Sequence, residues 1–122
     1  MAENSGYLRG YDDDLAGALN LVIADLVTAR YTHAEATAVV WALAEWYVDS
    51  TNMAPSEIAL RVADQIQQDV IGGRDNTWPR CIVHGNHPLW LEPEGDPDAM
   101  WTCTASGKRV ARLGDLGSLN AP

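Results

Sequence analysis

From residue 12 to residue 73 apolar side chains return every three or four positions, in three stretches separated by short polar breaks, which is the period of amphipathic helices. Leu15, Leu19, Val22, Ile23, Leu26 and Val27 form the first stripe, running to about Arg30. Asp12, Asp13 and Asp14 stand ahead of it, as a cap and as negative charge suited to a helix N-terminus. Thr32 and Glu35 then have T-x-x-E spacing, in which hydroxyl and carboxylate each accept from a backbone N–H that the helix leaves free. A second helix is therefore expected from His33. A third is expected from Pro55, a residue suited to the first helical position, with Glu57 in its first turn. Ile58, Val62, Ile66 and Val70 carry its stripe, and Gly72-Gly73 ends it.

The second helix is apolar on almost every side. Ala36, Val40, Leu43 and Tyr47 mark one face, Val39 and Trp46 widen it, and Trp41, Ala44 and Val48 occupy much of the rest. This predicts a central helix in which Trp41 and Trp46 are core residues. Two neighbouring helices cannot cover all of it, so Trp41, Ala44 and Val48 are the expected contact surface for another chain or for the C-terminal part of this one.

After Gly73 the pattern breaks into short pieces punctuated by Gly, Pro, Asn and Asp, with Trp78, Trp90 and Trp101 in place of aliphatic stripes. Residues 99–103 and 108–113 flank Ala105-Ser106-Gly107 and make the best hairpin in the chain. The expectation is an α+β protein: an acidic three-helix body over residues 1–73 and a small C-terminal zinc-ribbon-like β-hairpin module over residues 74–122. A module of that size needs a metal, its tryptophans or docking on the helices for stability.

The chemistry sits in that module. Trp78-Pro79-Arg80-Cys81, His84 and His87-Pro88 are followed by Trp101 and Cys103, so a C-x2-H pair faces a second turn that supplies one cysteine and has Ser106 where a fourth ligand belongs. Cys81, His84, His87 and Cys103 would form a Cys2His2 zinc site, provided one short loop aims both histidines inward beside Cys81. The alternatives are a ribbon without metal, in which the cysteines are small buried residues, a Cys81–Cys103 disulfide, and a catalytic metal. The missing ligand at Ser106 tips this reading towards the metal-free form. The catalytic form lacks a fixed general base, since Glu92 and Glu94 belong to an acidic turn.

Trp78 to Leu116 resembles the C-terminal part of small uncharacterised proteins of actinobacteria and their phages that carry a degenerate zinc ribbon. The shared features are Trp78-Pro79, Cys81, His84, His87-Pro88-Leu89, Trp101, Cys103 and the ending Val110-Ala111-Arg112-Leu113-Gly114-Asp115-Leu116. The chain departs from that pattern at Ile82 and Thr104, where the pattern has prolines that shape the two turns. The resemblance implies the ribbon and an actinobacterial or phage origin, and brings no function with it.

Charge narrows the function further. Of the net −9, residues 1–73 carry −8, from eleven acids against Arg9, Arg30 and Arg61, and residues 74–122 carry −1. Such a surface repels phosphate backbones. There is no signal-peptide pattern and no apolar run of membrane-spanning length, so a cytoplasmic protein is expected, and two cysteines beside histidines favour metal over a disulfide scaffold. No Walker loop, GxGxxG fingerprint or nucleophile elbow is present. The expected function is non-enzymatic, a protein interaction or adaptor role through a protein partner or self-association, with structural zinc as the one candidate cofactor and no evident small-molecule substrate. The rivals are a nucleic-acid-associated regulatory factor using Arg80, Lys108, Arg109 and Arg112, and a metal-dependent hydrolase built on the Cys/His cluster.

Overall fold

The computed structural model describes residues 2–50, 53–73, 78–81, 84, 87–94, 96 and 98–120, with the side chains of these except 2–12, 50, 71–73 and 119–120. Three helices, α1 (Ala2–Val27), α2 (His33–Ser50) and α3 (Pro55–Gly73), are followed by three strands, β1 (Trp90–Glu92), β2 (Met100–Cys103) and β3 (Lys108–Arg112), and a closing 3-10 turn, Leu116–Asn120. The arrangement is α+β. No helix among the described residues is long and apolar enough to cross a membrane.

The local signals explain most of the helix ends. The capping box forms as its spacing requires: the Thr32 N–H donates to Glu35 Oε1 at 2.9 Å and the Glu35 N–H donates to Thr32 Oγ1 at 3.1 Å. Pro55 opens α3. The start of α1 differs from expectation, because Asp12, Asp13 and Asp14 lie inside a helix that already runs from Ala2. At its other end three successive N–H groups bond three residues back, from Thr28, Ala29 and Arg30, and Arg30 itself takes a left-handed conformation with φ 71°.

The three helices pack pairwise, and α2 does so through small residues. Its buried stripe is Ala36, Val40 and Ala44, at i, i+4 spacing, which lets α1 and α3 approach closely. This corrects the expected interaction surface. Ala44 is fully buried and Trp41 is half-buried against the core, leaving only Val48 at the edge of solvent. Trp46, expected in the core, is 62% exposed. An all-round apolar sequence here reflects alanines filling a tight helix contact while larger residues sit on the flanks.

The sheet has the order β1-β2-β3 and is antiparallel throughout. The expected hairpin is β2 and β3, and β1 adds a third strand, pairing Trp90 with Thr102 and Glu92 with Met100. The segment between Cys81 and Leu89 is closed at its base by the Cys81 N–H donating to the His87 carbonyl at 3.1 Å and the Leu89 N–H donating to the Pro79 carbonyl at 2.6 Å. One continuous cluster of buried side chains joins helices and sheet, from Leu19, Leu26, Val40 and Val62 through Trp78, Leu89 and Trp101 to Ala111 and Leu116. Docking thus supplies the core that the module lacks alone.

Five hydrogen bonds fix that docking. The Asp25 carboxylate, buried on α1, accepts from Trp101 Nε1 at 2.8 Å, the Gly114 N–H at 2.7 Å and the Leu116 N–H at 3.0 Å. Gln67 on α3 donates to the Leu89 carbonyl at 2.5 Å, and Trp78 Nε1 donates to Thr28 Oγ1 at 2.9 Å. Trp78 and Trp101 meet edge to face with ring centroids 5.7 Å apart. Gly114 permits the closest approach: its φ is 98°, and a Cβ there would lie 2.6 Å from Leu21 Cδ2 and 3.3 Å from Leu21 Cα. Gly114→Ala is expected to cost about 1–2 kcal/mol for the left-handed backbone alone, with the overlap on α1 adding to it. Thermal unfolding checks this, and an unchanged melting temperature would refute the close-approach argument.

Candidate metal centre

The segment closed by Cys81 and Leu89, with the end of β2, brings four ligand atoms to one point. Cys81, His84, His87 and Cys103 each offer an atom, and all four atoms lie within 4.8 Å of one another. His84 Nδ1 is 3.3 Å from Cys81 Sγ, 3.1 Å from His87 Nε2 and 3.5 Å from Cys103 Sγ, and Cys103 Sγ is 3.8 Å from His87 Nε2. The sulfurs are buried, His87 is half-buried and His84 is exposed. All four sequence candidates are therefore brought together, the two histidines of one short loop included.

The tautomer of His87 follows from its neighbour. His87 Nδ1 lies 3.0 Å from the Pro88 carbonyl oxygen, which can only accept, so Nδ1 carries the proton and donates it. The lone pair of Nε2 then faces the cluster. Fixing a ligand ring by a backbone carbonyl on its far nitrogen is the usual arrangement around metal-binding histidines. His84 and His87 tilt at 36° with ring centroids 5.0 Å apart, presenting different nitrogens. Nδ1 of one and Nε2 of the other differ in reach from the backbone, which is how residues three apart converge.

Ser106 has a role other than the missing ligand. Its side chain hydrogen-bonds the Cys103 thiol, and with the backbone N–H groups of Ser106 and Ala105 and with Cys81 it lowers the Cys103 pKa from 9.0 to about 6, against the opposing effect of burial. Sulfur held as thiolate is the form that binds a metal. The Gly107 N–H also donates to the Cys103 carbonyl at 2.7 Å, closing the turn.

The other candidates lie apart from this centre. Glu92 and Glu94 line a shallow depression against Asp64 of α3, where burial, and then the charge of Glu94, raises the Asp64 carboxyl above its ordinary value despite Arg61. Arg80 neighbours the cluster loop, whereas Lys108, Arg109 and Arg112 belong to β3. Sequence reasoning passed over Asp25 and Gln67, although both fall on the buried stripes of their helices, where a polar residue signals a partner elsewhere in the fold.

Residues 11–113 match the model of a family described as a domain of unknown function (DUF8819), and the chain belongs to that family. No curated protein and no solved structure matches it.

Proposed function

We propose that this protein is a non-enzymatic interaction module whose C-terminal part is locked by a structural Zn²⁺ bound to Cys81, His84, His87 and Cys103. The convergence on His84 Nδ1 carries the reading. One imidazole nitrogen holds one proton or one lone pair, yet three ligand atoms crowd it at hydrogen-bond range. A single ion at the centre accounts for all three contacts. With bonds of about 2.0–2.1 Å to nitrogen and 2.3 Å to sulfur, a tetrahedral Zn²⁺ separates its ligands by about 3.3 Å for two nitrogens and 3.5–3.6 Å for nitrogen and sulfur. The corresponding distances here are 3.1 Å and 3.3, 3.5 and 3.8 Å.

Four protein ligands complete a tetrahedron and leave no position for water or substrate, which favours a structural role over a hydrolytic one. The His87–Pro88 contact and the Ser106 hydroxyl supply the outer support such a site uses. The resemblance to actinobacterial and phage proteins with a degenerate ribbon accords with this reading, with the fourth ligand moved from the second turn to His87.

Elemental analysis of the purified protein is expected to give one zinc per chain. Replacement by Co²⁺ should give the visible absorption of a tetrahedral S2N2 site, altered in His87→Ala. Protein that carries no zinc and takes up no Co²⁺ would overturn the proposal.

A further inference from the structure

Two surfaces of opposite character have no partner among the described residues. The first is an open depression of about 440 Å³ where β3 meets α1 and α3, with Ala18, Leu21, Leu60 and Leu113 in its wall and Arg109 and Arg112 among its lining residues. The arginines share that place because of a β-bulge. Trp101 pairs with Ala111 and Thr102 with Arg109, so Val110 is an extra residue. Residues three apart in an unbroken strand point to opposite faces, and the extra residue puts Arg109 and Arg112 on the same one. Both are exposed, and neither guanidinium has a hydrogen bond or ion pair among the described residues. Asp98 also lines the depression, leaving it net positive in a chain of charge −9. Leu21, in its wall, is 45% exposed.

The second surface lies on α2. Trp46 is 62% exposed, propped edge-on against Tyr47 at 5.0 Å. At about 100° per residue, Ala42, Glu45 and Asp49 share its solvent-facing sector of the helix, and all three are exposed. The patch is an indole with a flat alanine beside it and two unpaired carboxylates along one flank. The depression is the converse, an apolar hollow with two unpaired guanidiniums.

We infer that α2 of one copy seats Trp46 in the α1–α3–β3 depression of a second copy, with Glu45 and Asp49 meeting Arg109 and Arg112. The inference deepens the interaction reading above by naming the partner, and it rests on that reading. A second copy is favoured because one chain carries both complementary halves. Tryptophan and arginine are the residue types that most often anchor interfaces, and exposed ion pairs add little by themselves. The indole therefore supplies most of the affinity, and the charges set the register. The contact joins two different patches, so it closes into a dimer when two copies exchange it reciprocally and extends into chains when they do not.

The test is the solution mass of the purified 122-residue protein by sedimentation at concentrations up to about 200 μM, with zinc measured on the same samples. The wild type is expected above the monomer mass of 13.3 kDa. Trp46→Ala should weaken association by roughly 30-fold or more and the Arg109→Glu/Arg112→Glu pair by about 10-fold or more. Both changes are at exposed positions, and far-ultraviolet circular dichroism verifies that each variant is folded. An equimolar mixture of the two variants should associate more strongly than either variant alone, because it restores one of the two contacts that a reciprocal pair makes. A wild type that stays monomeric, variants that associate like the wild type, or a mixture that stays monomeric would overturn the inference. Zinc retained in those samples would show that the metal reading survives its failure.

Discussion

Asp25→Ala is expected to remove a large part of the protein's stability. The substitution strands three donors at once: the Trp101 indole N–H and the backbone N–H groups of Gly114 and Leu116. A buried donor left without an acceptor costs about 1–3 kcal/mol. Burial holds the Asp25 carboxyl above its ordinary 3.8, outweighing the donors from Gly114, Trp101 and Leu116 that favour the ionised form. Removing the carboxylate therefore recovers some desolvation free energy, which puts the expected loss near the low end, about 3 kcal/mol. Against a typical total of ~5–15 kcal/mol that is enough to loosen the sheet from the helices. Asp25→Asn should fall between: an amide oxygen in place of Oδ2 keeps Trp101 and Gly114, while the amide nitrogen confronts the Leu116 N–H. Urea unfolding followed by circular dichroism and tryptophan fluorescence measures both, and a loss under about 1 kcal/mol in Asp25→Ala would refute the pinning role.

The same carboxylate predicts an unusual pH response. A carboxyl whose native pKa is raised holds its proton in the folded state over a window in which the unfolded chain, titrating near 3.8, has already released it. Within that window unfolding free energy falls as pH rises, and above the native pKa it levels off. Most acidic groups that gain partners on folding act in the opposite sense. The difference between wild type and Asp25→Asn isolates the contribution: the wild type should lose stability relative to the variant as pH rises from about 4. A constant difference across the series would contradict it.

Local rules made the helical body legible. A capping box, a proline at a first turn and i, i+4 stripes act through neighbours in sequence, and α2 and α3 begin where those signals stand. The hairpin was legible for the same reason. β1 escaped because it is three residues long, between Pro88 and Pro93, and exists only by pairing with β2. The burial pattern on α2 escaped because an apolar sequence does not say which side a neighbour takes. Ala44 went to the helix contact since alanine permits close approach, and Trp46 went to solvent. Residues of the candidate metal centre could be named from composition and spacing, but their geometry could not. Spacing treats the two histidines as equivalent, whereas convergence depends on one presenting Nδ1 and the other Nε2. The bulge at Val110, which decides where Arg109 points, follows from the ladder as a whole.

Metal removal is expected to have the other large effect, and the shared core decides its form. In an isolated zinc-binding peptide the metal contributes about 10–16 kcal/mol and chelation unfolds the chain. Here Asp25, Gln67 and the Trp78–Trp101 contact also hold the module, so the metal-free protein should keep its secondary structure at room temperature with a reduced margin. A bound ion would tie Cys81, His84 and His87 to Cys103 of β2. Without an ion the four ligand atoms, 3.1–3.8 Å apart, are expected to separate, which loosens the segment that Cys81 and Leu89 close. Its base bonds Leu89, whose carbonyl holds Gln67, so the disturbance reaches α3 through a buried contact. Because one continuous core joins module and helices, chelation should lower a single cooperative transition by more than about 10 °C, equivalent to a few kcal/mol in a domain of this size. Helical ellipticity and tryptophan emission should move together rather than in two steps. Cys103→Ser should reproduce the shift without chelator, and Ser106→Ala, which removes the hydroxyl beside the Cys103 sulfur and its bond from the Lys108 N–H but no metal ligand, should leave zinc bound. Two separate transitions, with the helices unaffected by chelator, would show that the module and the body are independent and that the shared core contributes little.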